Sequence, residues 1–170
     1  MKYLPQVVIV FAIWMVSFYT AADQEPLYNA PEEIEWQEGA ITLPVFPEDG
    51  NLVEFPVGSI SKNRFSIDKS SLTIGVDGVV RYVLVIKAPG GGTNVTFEGI
   101  HCRERQYKVY AIGRDDRSWS KLHSSEWILI ENKPLNRHHA VLNQELLCPS
   151  GAPISSIQEG LSALRRARAP

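Results

Sequence analysis

The sequence lacks the residue patterns on which most catalytic and cofactor sites are built. Its 170 residues include two cysteines, which form no CxxC redox pair, and four histidines, which form no HExxH zinc motif. No serine stands in a GxSxG elbow, and the glycine run at 90–92 lacks the lysine of a phosphate-binding loop. We therefore expect no cofactor and no metal, and the sequence favours a protein that is not an enzyme.

A strong positive charge is also missing. The formal net charge is −2, whereas nucleic-acid-binding domains are strongly basic, so we expect no nucleic-acid partner. The charges are nevertheless uneven, because every charged residue within 23–54 is acidic and basic residues predominate from Lys62 onward. We expect the acidic segment to lie across a basic surface of its own domain; the alternative is that the two ends meet different partners.

No apolar run reaches the roughly 20 residues that a transmembrane helix needs. The run at 7–19 follows Lys2 and precedes small residues of the kind that signal peptidase reads. We expect a signal peptide at 1–22, cleaved after Ala22, and a soluble periplasmic product. The alternative, favoured by the bulky aromatic residues of the run, is an uncleaved inner-membrane anchor, which would then be the only contact with the membrane.

The two cysteines agree with export. Cys102 and Cys148 are an even pair, and disulfides persist in oxidising compartments such as the periplasm. A structural disulfide between them is therefore the favoured interpretation, and a redox pair is the alternative. The wide spacing in sequence argues against the redox pair.

The rest of the chain fits one domain. We expect a flexible acidic N-terminal segment at 23–35, a single globular domain at 36–166 and a short C-terminal tail at 167–170.

Alternating apolar residues predict consecutive strands in the first part of this domain. The predicted strands are 64–67, 72–76, 79–86, 93–102, 106–111 and 124–130. Asp77 and Gly78 form a turn signal before the longest apolar strand. Within 93–102 the apolar residues change parity at Gly99, which predicts a bulge that turns Cys102 toward the core.

The C-terminal part has helical periodicity. A helix is predicted at 137–147, with Asn136 as its N-cap and an inward stripe of His139, Leu142 and Leu146. A second helix is predicted from Ser156 or Ile157 to about residue 166, because Ser156 and Glu159 have capping-box spacing, and its apolar face is formed by Ile157, Leu161 and Leu164. The predicted fold class is α+β: a curved antiparallel sheet of about five to seven strands, with two C-terminal helices packed against it.

Three segments carry a family resemblance. NRFSIDKSSLTIGVDGVVRYVLVI at 63–86, NVTFEGIHC at 94–102 and NRHHAVLNQELLCP at 136–149 resemble the cryptic neisserial protein-like family of bacterial envelope proteins. The resemblance covers about 36–166 and implies a periplasmic location without an established activity. Its members are described as lipoproteins, but this chain has no cysteine near the predicted cleavage point, which favours a soluble form.

Several ionisable residues remain candidates for a site. Neighbouring residues on a helix project about 100° apart, so His138 and His139 are not expected to share a metal ion. Asp115 and Asp116 have the pattern of a solvated turn. A hydrolase or other enzyme is the alternative to a binding domain; its site would be built from His101, His123, His138 or His139 with carboxylates distant in sequence. Glu98 is a separate candidate for an acid–base pair.

Five further polar residues lie inside the family-like segments, where a core does not require them. They are Asn63, Arg64, Arg81, Asn136 and Arg137. We expect either a buried hydrogen-bonding network that locks helix to sheet or a ligand or partner surface. The function that the sequence favours is a non-enzymatic domain that binds an unknown envelope protein or component.

Overall fold

An antiparallel sheet of eight strands dominates the computed structural model, which describes residues 35–59 and 61–168. The strands are β1 (Leu52–Phe55), β2 (Arg64–Asp68), β3 (Thr73–Ile74), β4 (Val79–Lys87), β5 (Thr93–His101), β6 (Gln106–Gly113), β7 (Trp119–Lys121) and β8 (Ile128–Leu129). The main path is β1-β2-β4-β5-β6-β7; β3 pairs with β4, and β8 pairs with β6. The helices follow the sheet in the sequence, so the α+β prediction is confirmed.

The centre of the sheet is the hairpin of β4 and β5. The two strands pair in one continuous register from Val79 opposite His101 to Lys87 opposite Thr93. On one face Val80, Tyr82 and Leu84 belong to the core that contains the helices. On the other face β4 and β5 contribute to a second core, which the N-terminal segment and β7 cover. Burial on both sides explains why the central strands are apolar almost throughout.

The predicted bulge at Gly99 is wrong. β5 pairs with β4 without interruption through Gly99, and the shift in register lies between β5 and β6, where Tyr110 is the extra residue. Both faces of β5 are buried, so its odd-numbered and its even-numbered residues both include apolar side chains. The pattern in the sequence therefore needs no bulge. Gly99 has a different role, since a β-carbon there would collide with the ring of Tyr110.

The other strand predictions are confirmed at the centre of the sheet and less accurate at its edges. The predictions at 64–67, 79–86, 93–102 and 106–111 correspond closely to β2, β4, β5 and β6. In contrast, the strands predicted at 72–76 and 124–130 are too long, because β3 and β8 have only two residues each. Strand β7 is not among the predicted strands. Short edge strands bury little apolar surface, so their sequences carry a weak pattern.

The first predicted helix has two parts. Helix α1 spans Arg137–Val141 and continues as a π-helical segment, Leu142–Leu147. Its extent matches the prediction, but Asn136 makes no capping hydrogen bond, because a 3-10 turn at Pro134–Asn136 leads directly into the helix. The buried residues are His138, His139, Ala140, Val141, Leu142, Asn143, Leu146 and Leu147. Burial extends well beyond the predicted stripe.

Helix α2 spans Ile157–Arg168, two residues beyond the predicted end. Ser156 Oγ accepts a hydrogen bond from the Glu159 backbone N–H at 3.2 Å, as a capping box requires. The Glu159 carboxylate, however, reaches the N–H of Ser155 rather than that of Ser156. Leu161 and Leu164 are buried as predicted, but Ile157 is exposed, and the inward position before Leu161 is taken by Gly160.

The acidic N-terminal segment pairs with basic residues of the same domain. Within its described part, three carboxylates each meet a basic side chain: Glu38 contacts Lys108 at 2.7 Å, Asp49 contacts Lys87 at 2.9 Å, and Glu54 contacts Arg64 at 2.7 Å. For these residues the prediction of an intramolecular partner is confirmed. The predicted signal peptide and most of the segment at 23–35 lie outside the described residues. Within the described residues, no helix is long and apolar enough to span a bilayer.

The predicted disulfide is present. Cys102, directly after β5, is bonded to Cys148, directly after the π-helical segment, and their Cα atoms are 5.5 Å apart. The bond therefore joins the sheet to the end of the first helix.

Replacing both cysteines by alanine should lower the free energy of unfolding by about 4 kcal/mol, because the crosslink spans 46 residues and restricts the unfolded chain. Denaturant titration followed by tryptophan fluorescence measures the change. Chemical reduction of the unsubstituted protein should produce a similar loss. Equal stability of the oxidised protein and the cysteine-free variant would contradict the prediction.

Candidate functional site

A buried polar cluster lies between the sheet and α1. At its centre is Glu98 on β5, which is 3% exposed, together with His139 on α1, which is 4% exposed. His139 Nε2 lies 2.9 Å from Glu98 Oε2. The Tyr82 hydroxyl donates to the same oxygen at 3.2 Å, and Thr96 Oγ1 donates to Oε1 at 2.7 Å. Both carboxylate oxygens are therefore hydrogen-bonded.

The cluster holds Glu98 in its ionised form. Burial alone would raise the pKa of Glu98, but the hydrogen bond and charge of His139 outweigh burial and lower this pKa below its ordinary value. Burial, followed by the nearby carboxylate, raises the pKa of Tyr82 well above its ordinary value, so Tyr82 stays a neutral donor. Because an ionised carboxylate only accepts, His139 Nε2 carries the proton that it donates to Glu98.

A carboxylate that orients a histidine is a frequent part of acid–base sites, but this pair is enclosed. His139 Nδ1 is fully buried and has no hydrogen-bond partner among the described residues. The ring of Tyr107 stacks on the His139 ring with a centroid separation of 3.7 Å. A general base must come within hydrogen-bonding reach of its substrate, and this atom does not. In this conformation the pair binds the helix to the sheet.

His138 connects the buried cluster to the surface. Its ring lies 4.1 Å from that of His139 and stacks on Phe65, 5.2 Å away between centroids. The residue is 7% exposed, and its side chain makes no hydrogen bond to another residue in the described part of the chain. Burial, followed by the neighbouring His139, lowers the pKa of His138 to about 4, although Glu98 opposes the shift. The imidazole is therefore neutral at physiological pH.

His138 lines an open cleft of about 520 Å³ at one end of the central strands. We call this space the His138 cleft. Its remaining lining residues are Ser61, Asn63, Phe65, Ile86, Ala88, Gly92, Thr93, Asn94 and Pro134. None of these described residues carries a charge. The cleft thus joins apolar side chains to neutral hydrogen-bonding groups, beside a single neutral imidazole.

A second polar network lies on the opposite face of the sheet. Arg81 forms an ion pair with Asp77, and both side chains are nearly buried, at 8% and 2% exposure. Burial alone would raise the pKa of Asp77, but hydrogen bonds from Arg81 and from the backbone of Gly39 and Val79 lower it to about 2. Glu38 extends the network by accepting a hydrogen bond of 2.8 Å from Tyr110. These contacts fix the N-terminal segment on the sheet.

An aromatic group adjoins this network. The Trp36 ring stacks on His101 at 4.4 Å, and Trp127 packs edge-on against Trp36. His101 therefore lies on the other face of the sheet from His139, while His123 is exposed near the surface loop after β7. Only His138 and His139 of the four histidines meet. The candidate hydrolase histidines do not converge on one site.

The five polar residues predicted as a network or a surface occupy separate places. Arg81 pairs with Asp77 on the face of the sheet that the N-terminal segment covers. Arg64 pairs with Glu54 near solvent. Asn63 lines the His138 cleft, while Asn136 and Arg137 stand at the start of α1 without a described salt bridge. Each position thus has its own environment.

Other predictions concern acidic residues and metals. Asp116 accepts hydrogen bonds from the backbone and hydroxyl of Ser118 in an exposed turn after Asp115, so the predicted solvated turn is confirmed. In the part of the chain that the structure describes, no three His, Cys, Asp or Glu side chains gather closely enough to hold a metal ion. The sequence reasoning missed Tyr82, which strand register places opposite Glu98, and Tyr107, which helix packing brings against His139. It also missed Asp77 as the partner of Arg81, although the two are only four residues apart.

Comparison with known proteins places these features in a family. The model of the CNP1-like family matches residues 31–165. The chain belongs to the CNP1-like family. The match includes the sheet, the disulfide, the His138 cleft and most of α2. No curated protein and no solved structure matches the chain.

Replacing Arg81 by alanine should destabilise this CNP1-like protein by about 3–5 kcal/mol, because Asp77 would stay buried without its cationic partner. Thermal and denaturant unfolding measure the loss. Arg64→Ala is the matched control, since its ion pair is exposed and solvent-screened, and it should leave the melting temperature nearly unchanged. Equal effects of the two substitutions would show that the Asp77 ion pair does not stabilise the fold.

The free energy of unfolding should decrease as the pH is lowered from 6.5 to 4, because His138 resists protonation in the folded protein. The unfolded chain takes up a proton near pH 6.5, whereas the folded protein does so only near pH 4. Acidification across this interval therefore favours unfolding, by about 3 kcal/mol at its lower end.

Urea titrations at several pH values test this dependence. His138→Phe retains a ring against Phe65 but cannot be protonated, so it should lack this part of the loss. His123→Phe alters an exposed histidine and should retain it. Identical pH profiles for the original protein and His138→Phe would contradict the prediction.

Proposed function

We propose that this CNP1-like protein is a non-enzymatic binding domain of the bacterial cell envelope, which engages its ligand or partner at the His138 cleft. The observation that carries the proposal is a contrast within one region. The cleft is open and lined by neutral groups, whereas the acid–base pair behind it, Glu98 and His139, is enclosed. Such a site can bind a molecule through its apolar and neutral hydrogen-bonding side chains. The only accessible group that could transfer a proton among these described residues is the neutral imidazole of His138.

The proposed location is the periplasm, with a soluble protein after cleavage of the signal peptide. The apolar segment before Ala22 supports export, and the Cys102–Cys148 bond is of the kind that persists in oxidising compartments. The resemblance to the cryptic neisserial protein-like family, whose members are described as envelope proteins, supports the same location. An uncleaved anchor is the alternative, and mass spectrometry of the exported N-terminus distinguishes the two.

A hydrolase is the second candidate function. The orientation of His139 by Glu98 favours it, because this arrangement resembles the base and its orienting carboxylate in many enzymes. The unpartnered Nδ1 of His139 would serve as the base only in the neutral form of the ring, and only after Tyr107 moved away. No nucleophile among the described side chains that line the cleft lies in a motif that activates it.

Site-specific photo-crosslinking in intact cells tests the binding proposal. A photoreactive amino acid at Asn94, an exposed residue of the cleft, should give discrete light-dependent adducts. The matched control is the same amino acid at Asp115, which is also exposed but lies in the turn between β6 and β7. Adducts that occur at Asn94 and not at Asp115 support a binding site at the cleft.

Two results would contradict the proposal. One is the same adduct pattern at both positions, which would indicate random collision. The other is a hydrolytic activity of the purified protein that His139→Gln abolishes while the melting temperature is retained, which would favour the enzyme.

A further inference from the structure

We infer that the His138 cleft binds an uncharged, sugar-like ligand, in which hydroxyl or amide groups are combined with an apolar face. This inference rests on the proposed function and specifies its ligand class. It depends on the lining of the cleft, on the unpartnered side chain of His138 and on the pairing of the surrounding strands.

The residues that line the cleft disfavour a charged ligand. Among the described residues that form the cleft, none is a lysine, arginine, aspartate or glutamate. The buried carboxylate of Glu98, which belongs to the cluster next to His138, is already satisfied by His139, Tyr82 and Thr96. A charged ligand group would therefore lose hydration without gaining a counter-ion, which is unfavourable. A neutral ligand avoids this cost.

The same lining has two chemical characters. Phe65 and Ile86 supply apolar surface from β2 and β4. Asn63 and Asn94 supply side-chain amides, each of which has two N–H donors and a carbonyl acceptor. A sugar presents a matching combination, since its C–H groups form an apolar face and its hydroxyls both donate and accept hydrogen bonds.

His138 adds a polar group that no described residue satisfies. It is more than nine-tenths buried, it lines the cleft, and its side chain makes no hydrogen bond within the described part of the chain. The buried, unpartnered atoms of the described residues include Nδ1 of His139 but neither ring nitrogen of His138, which agrees with a His138 ring that borders the cleft instead of lying wholly in the core. A neutral imidazole offers one donor and one acceptor, both of which suit a hydroxyl.

The strands around the cleft argue against an added peptide strand. β2 pairs with β1 and β4, β4 pairs with β2 and β5, and β5 pairs with β4 and β6. A peptide that extends a sheet needs a free strand edge. From Thr96 onward β5 is paired on both sides, and only its first three residues have a partner strand on one side alone. So short an edge offers little backbone pairing, and recognition must come mainly from side chains. The cleft volume of about 520 Å³ is also within the range of small-molecule sites.

Titration of the exported, disulfide-bonded protein with N-acetylglucosamine tests the inference by nuclear magnetic resonance. The sugar should cause saturable shifts in the side-chain amides of Asn63 and Asn94 and in the ring of His138. Glucosamine and glucuronic acid, which are cationic and anionic analogues, should cause much smaller shifts at these sites.

Three variants identify the contacts. His138→Phe retains the ring against Phe65 but removes its polar atoms, and Asn94→Ala removes a side-chain amide; each should weaken binding about 3- to 10-fold. The matched control is Asn132→Ala, an exposed asparagine that does not line the cleft, and it should leave the affinity unchanged. Native melting temperatures of the variants would show that they remain folded.

Several outcomes would overturn the inference. No saturable shift with the neutral sugar would do so, as would equal shifts with the charged analogues. A stronger response to acetylated and amidated tetraalanine would assign the cleft to a peptide instead. If photo-crosslinking at Asn94 captures a protein while the sugar has no effect, the ligand class is wrong but the proposed binding function stands.

Discussion

The burial of the β4–β5 hairpin on both faces is the constraint on which the rest of the structure depends. These two strands contact the helical core through residues such as Tyr82 and the second core through residues such as Val83. An antiparallel sheet usually leaves one face to solvent, and here the acidic N-terminal segment covers the face opposite the helices. The disulfide then fixes the helical layer to the end of β5. Every element is placed with respect to this hairpin.

Double-sided burial forces the polar residues of the hairpin to find internal partners. On the helical face, Glu98 is satisfied by groups from β4, from β5 itself and from α1. On the other face, Arg81 is neutralised by Asp77, which in turn binds the backbone of the N-terminal segment. A buried charge without a partner costs several kcal/mol, so each network also fixes which layer packs on which face. Buried polar groups in this fold thus specify the arrangement of its layers.

The His138 cleft follows from the same geometry. The helical layer covers the sheet above Glu98 and His139 but leaves the ends of β2, β4 and β5 open beside the 3-10 turn that precedes α1. His138 lies at this boundary: it packs against Phe65 and His139, and it also faces the open space. A single residue therefore takes part in the core and in the surface. This position distinguishes it from His139, whose role in this conformation is structural.

The sequence by itself determined the fold class, the central strands, the extent of both helices and the disulfide, because each depends on local periodicity or on residue type. It placed Cys102 and Cys148 as a pair and the apolar strand at 79–86 correctly. Only the tertiary structure decided which polar groups meet. The bulge lies at Tyr110 rather than Gly99, because strand pairing and not one strand's parity sets the register. Likewise, Glu98 and His139 are 41 residues apart in sequence, and only the packing of α1 on the sheet brings them within hydrogen-bonding distance. Contacts between distant residues depend on how whole elements pack, and no local pattern records that packing.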